Sequence, residues 1–266
     1  MDYEKLVNQS SERLNKTTCA YCGAETFARS EQSACNFCEL IPSGNTADSV
    51  LLPDSETALK MQEIQALIKS SNIDGAAEKI EQLSKTSTNP YVLYVAGRLY
   101  SRMSDIAYHS VDYNLKGLME ANAEMREKGL LLESKAREYF YKAIFSIESM
   151  SEAKGSAIKY VKFMCLVRLG RYAEAGKELG EMPNGAVSAY AKMVHETLTN
   201  SKYALKSIYA CMPNELNAVY YLARHLASNG KSKEAEALLE SAKQIAELYM
   251  AFDLAEKIKQ LKDESE

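Results

Sequence analysis

The chain has 266 residues, is 46% hydrophobic with no Trp and 17 Tyr, and carries a formal net charge of −4. This excludes a disordered chain and leaves room for one long helical array or two compact domains. Charge is uneven: residues 1–54 hold eight acidic and four basic side chains, and Arg126 to Lys177 holds eleven basic and six acidic ones. Such a weak overall field disfavours a general nucleic-acid binder while leaving room for a local basic surface.

Met1 to Lys16 reads as a short amphipathic helix on Tyr3, Leu6, Val7 and Leu14. No apolar run here reads as an export signal, and no later stretch approaches the roughly 18 uncharged apolar residues of a membrane span. Next come Cys19, Cys22, Cys35 and Cys38, two CxxC pairs separated by twelve residues. In a chain without an export signal, expected to be cytoplasmic, such pairs point to a metal rather than to disulfides. A tight CxxC turn aims two thiolates at one point, and Gly23 lets the first turn fold back with positive φ. The reading is one structural Zn²⁺ on four cysteines. An iron site, a redox dithiol and four free thiols are the competing readings. Catalytic zinc is disfavoured, because four cysteines leave no open position for water. Phe27 and Phe37 are candidates for a small apolar core that the metal would complete.

This stretch resembles the rubredoxin-like zinc ribbons over about 20 residues. It departs at Glu39, where a glycine commonly follows the second pair. The resemblance implies two facing knuckles around one ion. It leaves open whether the ribbon binds nucleic acid, binds protein or only staples a fold. Arg29 alone is basic between the first and last Cys, which favours a protein-facing or structural role.

Pro42 to Asp54 is rich in turn residues and reads as a linker, dividing residues 1–41 from a helical domain over 55–266. Asp54 is a candidate cap for a helix carrying Leu59, Ile64, Leu67 and Ile68. Helices over Ala76 to Ser84 and Pro90 to Met103 follow. Ile106 to Lys128 predicts a longer helix, interrupted near Gly117, with Gly129 separating it from Leu130 to Ser149. That next helix is so rich in large apolar residues that burial on more than one side is expected. Paired helices then follow over Ser156 to Leu169 and Tyr172 to Leu179, over Ala186 to Leu198 and Tyr203 to Tyr209, and over Leu216 to Ala227 and Ser232 to Ile245. A charged helix over Glu247 to Lys262 closes the chain. Met-Pro-Asn recurs at Met182 and Met212, 30 residues apart, and Gly170 and Gly230 lie 60 apart, which marks a repeat of about 30.

Gly170 to Ala175 (GRYAEA) and Gly230 to Ala235 (GKSKEA) resemble the turn inside a tetratricopeptide repeat, with Ala175 and Ala235 where helices approach closely. Tyr172 matches that pattern and Ser232 does not. The resemblance spans about 160 residues. It implies a mostly α fold, an α-solenoid of helical hairpins behind a small N-terminal zinc ribbon.

The chain contains no P-loop, no GxGxxG and no HExxH. His225 and Cys165 lie on apolar helical stretches and read as packing residues. Cys211 with His195 or His225 is a nucleophile–base pairing that an enzyme could use, and it is disfavoured here. Most tyrosines fall on predicted helices, where half-burial is expected, with hydroxyls rimming the groove of a curved array. Lys154, Lys159, Lys162, Arg168 and Arg171 lie near its middle. They are either a solvated face or a clamp for an acidic peptide or a terminal carboxylate. The function expected is a non-enzymatic protein–protein interaction scaffold with structural zinc. A nucleic-acid-associated regulator and an enzyme with an inter-helix pocket are the alternatives.

Overall fold

The computed structural model of the chain describes residues 15–19, 21–28, 33–35, 38–41, 53–70, 72–109, 119–150, 155–212 and 217–248. Two strands, β1 (Asn15–Thr18) and β2 (Glu25–Ala28), pair antiparallel from Asn15 opposite Ala28 to Thr18 opposite Glu25. Lys16 therefore belongs to a strand and not to the predicted helix, whose residues before Asn15 lie outside the described part. The cause is local: β1 runs directly into the first cysteine, and its partner strand returns just beyond the turn.

Ten helices follow among the described residues: α1 (Ser55–Lys69), α2 (Ile73–Thr86), α3 (Pro90–His109), α4 (Met119–Glu148), α5 (Ser156–Arg168), α6 (Tyr172–Gly180), α7 (Ala186–Leu198), α8 (Ala204–Cys211), α9 (Asn217–Ser228) and α10 (Ser232–Leu248). The chain is thus mostly helical. Asp54 caps α1 by accepting from the Thr57 N–H at 2.8 Å, and Asn72 caps α2 by accepting from the Gly75 N–H at 3.1 Å. Because Asn72 is a cap, α2 begins before the predicted Ala76.

Consecutive helices pack in pairs, α1 with α2 through α9 with α10, and the first helices of successive later pairs also touch: α3 with α5, α5 with α7, α7 with α9. Second helices join the stack through side chains. Lys135 and Lys128 of α4 bridge to Glu81 and Asp74 of α2, and Tyr139 stacks on Tyr100 with centroids 5.4 Å apart.

Three of the connections share one geometry. After α5, the Gly170 N–H donates to Val167 O and the Arg171 N–H to Leu166 O. After α9, Gly230 and Lys231 do the same to Ala227 and Leu226. This is the Schellman closure, in which the residue past the helix sits left-handed; φ is +74° at Gly170 and +73° at Gly230. Asn200 after α7 completes the series, with φ +50° and bonds from Asn200 N to Thr197 O and Ser201 N to Glu196 O.

Gly129 does not break a helix. Helix α4 is continuous from Met119 to Glu148, and Gly129 is where it lies against α3. A Cβ at this position would stand 2.9 Å from the Tyr108 ring, and Ser104 Oγ donates to Gly129 O at 2.8 Å. Nor is α4 buried on several sides. Leu132, Ala136, Phe140, Ala143 and Ile147 are buried, but Leu130 and Leu131 are each 60% exposed and Phe145 is 73% exposed. As the second helix of its pair, α4 turns an outer face to solvent. The predicted break at Gly117, the linker before Pro53 and the closing helix beyond Leu248 lie outside the described residues.

Candidate metal centre

The four predicted cysteines converge. Their sulfurs all lie within 4.8 Å of one another, and all four residues are buried. Two knuckles with matching backbone bonds bring this about. In the first, the Cys19 N–H donates to Ala24 O at 2.9 Å and the Gly23 N–H to Cys19 O at 2.9 Å. In the second, Cys35 N–H donates to Leu40 O at 2.9 Å and Glu39 N–H to Cys35 O at 2.8 Å. Each turn needs a left-handed residue at the same place, Gly23 with φ +70° in one and Glu39 with φ +60° in the other. Glycine takes this conformation freely, whereas a side chain there costs about 1–2 kcal/mol.

The sulfur spacing fits a tetrahedral ion. Cys19 Sγ and Cys38 Sγ are 3.8 Å apart, and Cys22 Sγ and Cys35 Sγ are 3.7 Å apart. Four sulfurs about 2.3 Å from one ion define a tetrahedron with edges of about 3.8 Å. A disulfide would bring two of them to about 2.05 Å. Burial pushes the Cys22 and Cys38 thiols well up, aided by the other cysteines. The cluster could hold a metal ion, which would have to displace the thiol protons to bind the sulfurs as thiolates.

The second knuckle is seated on the helices. Tyr94 of α3 donates its hydroxyl to Cys38 O at 2.8 Å, and Tyr91 places its hydroxyl 3.8 Å from Cys38 Sγ. The Tyr91 ring lies 5.0 Å from that of Tyr21. Tyr160 of α5 donates to Glu39 O. The Glu39 side chain, 0% exposed, reaches further in. Arg168 of α5 donates to its Oε1 at 2.6 Å, Arg98 of α3 stands 3.6 Å from the same oxygen, and Tyr221 of α9 donates to Oε2 at 3.1 Å. These tyrosines are buried outright. The expectation of half-buried rings with hydroxyls in water fails for them, because their hydroxyls have the knuckle as partner.

The basic residues predicted as a peptide clamp are dispersed among other partners. Lys159 donates to Glu181 Oε2 and O, Lys162 bridges Glu148 at 3.3 Å and Glu178 at 2.7 Å, and Arg171 pairs with Glu174 through two bonds. Arg168 meets Glu39, and Lys154 lies outside the described residues. The residues that sequence reasoning passed over are Arg98 and the role of the Glu39 carboxylate. Glu39 did carry a signal, a charged residue in a turn slot that suits glycine. The candidate catalytic groups have separate structural partners: His195 Nε2 bonds to Tyr172 O, Cys211 Sγ to Ala189 O, and the His225 ring faces Asn229.

No protein-family model matches the chain, no curated protein matches it, and no solved structure matches it. No helix among the described residues is long and apolar enough to cross a membrane.

Proposed function

We propose that the protein is a non-enzymatic interaction scaffold: a tetratricopeptide-like solenoid of helical hairpins, stapled at its N-terminal side by a zinc ribbon and working by holding a partner protein. The observation that carries this reading is the gathering of four buried sulfurs, all within 4.8 Å of one another, from two knuckles, the second of which is seated against the helical pairs. When bound, Zn²⁺ supplies a cross-link between the two knuckles and neutralises part of the thiolate charge. Cys19 and Cys22 hold it from one knuckle, Cys35 and Cys38 from the other. Tyr91 and Tyr94 fix the second knuckle against α3. Zinc is favoured over iron because a closed four-cysteine site in a fold-completing position asks for a redox-inert ion.

The stacking of first helices gives an array its inner face, and such faces bind extended partners. Lys159, Lys162 and Arg171 would serve an acidic partner only by exchanging their present glutamate partners Glu181, Glu148, Glu178 and Glu174 for it. Elemental analysis of the purified chain should return one zinc per chain. Affinity capture from the native extract should then recover a stoichiometric protein partner that survives nuclease. Capture of nucleic acid alone, or of partners that vanish with nuclease, would sink the scaffold reading and favour the regulator.

A further inference from the structure

Glu39 occupies a backbone slot that disfavours a side chain, yet its carboxylate is buried, and a buried carboxylate is stable only with charged or hydrogen-bonding partners. All of the partners named above come from the helices. Arg98 lies on α3, Arg168 on α5 and Tyr221 on α9, each the first helix of its pair. These three walls of the receptor are therefore supplied by the helical pairs. Four thiolates around a divalent ion form a dianion, and Cys38, one of those ligands, is the residue before Glu39. A metal held at Cys38 would therefore fix the backbone that carries the Glu39 carboxylate to its receptor, and Tyr94 and Tyr160 hold the carbonyls of these same two residues from the helices.

We infer that the helical array carries a carboxylate-binding site, walled by Arg98, Arg168 and Tyr221, which takes Glu39 as its internal ligand and so couples metal loading at the four cysteines to the seating of the ribbon. This rests on the metal reading above. Coupling of this kind is reciprocal: a seated carboxylate tightens metal binding, and bound metal tightens the seat.

The test uses the full chain and the variant Glu39→Gly. Glycine relieves the left-handed turn, so a residue acting only through the backbone would become more stable on this change. The site predicts the reverse: a lower melting temperature and loss of zinc to a competing chelator faster by at least about tenfold. Formate at tens of millimolar, a carboxylate small enough for the vacated pocket, should restore both properties in Glu39→Gly, and chloride at equal ionic strength should not. Adding Arg168→Met should abolish the rescue. A Glu39→Gly chain as stable as the parent, or one that formate restores no better than chloride, overturns the inference. If Glu39→Gly does not fold, Glu39→Gln carries the test. The neutral isostere must melt below the parent and release zinc faster, and a parent-like Glu39→Gln overturns the inference equally. Failure of the metal reading is distinguished by its own signature, a parent chain that neither contains nor takes up zinc while formate still rescues the melting of Glu39→Gly.

Discussion

At Gly23 a side chain would meet two obstacles, and they can be separated. The backbone is left-handed, and a Cβ there would lie 2.3 Å from Gln62 Cγ on α1. Gly23→Ala is expected to destabilise the chain by about 1–3 kcal/mol in urea titrations. Gln62→Ala in the same chain should recover the steric part and leave the conformational part, because it removes the clashing Cγ from an exposed position. His225 gives a pH prediction. Burial, then Lys231, holds its pKa below the ordinary 6.5. The unfolded chain therefore takes up a proton that the folded chain resists, so stability should fall as pH drops below about 6.5 toward the lower folded value. His225→Gln should show a smaller loss of urea midpoint between pH 7.5 and 5.5 than the parent, and an equal loss would remove His225 as the cause. At this scale the cysteines were legible because ligand spacing is local. The destination of Glu39 was not, since Arg168 is 129 residues away and no local pattern links the two.

Among elements, the turns after α5, α7 and α9 set the repeat. Positions 170, 200 and 230 close their helices alike although only two are glycine. The sequence showed the outer two and the spacing of 30 between Met-Pro-Asn turns, and the middle one was hidden because asparagine can also take the left-handed conformation. Asn200 additionally accepts from Asn229 Nδ2 at 3.0 Å, tying one turn to the next. Asn200→Ala should cost about 1 kcal/mol and Asn200→Gly less, since glycine keeps the turn and loses only the exposed side-chain bond. Thermal denaturation of the two variants side by side checks the order, and an Asn200→Ala chain more stable than Asn200→Gly would contradict it. Gly129 teaches the opposite lesson. It looked like punctuation, but helix α4 runs through it and the missing side chain makes room for Tyr108. A glycine that ends a helix and one that lets two helices approach leave the same letter in the sequence.

Across the whole molecule, the buried residues form one continuous cluster from Cys19 to Ala242, taking in the four cysteines and all the helical pairs. The cysteine cluster was legible from its spacing, but the core it shares with the helices was not, because that core is made by contacts such as Tyr160 to Glu39 across 121 residues. With a metal on the four cysteines, as proposed, stripping it should therefore be felt by the helices. With chelator, or in a Cys35→Ser, Cys38→Ser chain, the melting temperature should fall by more than about 5 °C. Helical and aromatic circular dichroism should still melt together. Two separate transitions, or an unmoved helical one, would mean that the ribbon and the array are energetically independent. The seat of Glu39 has a further consequence for synthesis. Its carboxylate contacts Tyr221, 182 residues downstream, so the ribbon leaves the ribosome long before its seat is complete. At about 5–20 residues per second, roughly 10–40 s separate the two. During that interval the knuckle carries a charged side chain whose pocket is incomplete, Arg98 and Arg168 arriving before Tyr221, and vectorial growth makes the contact to α9 a late event in the birth of the fold.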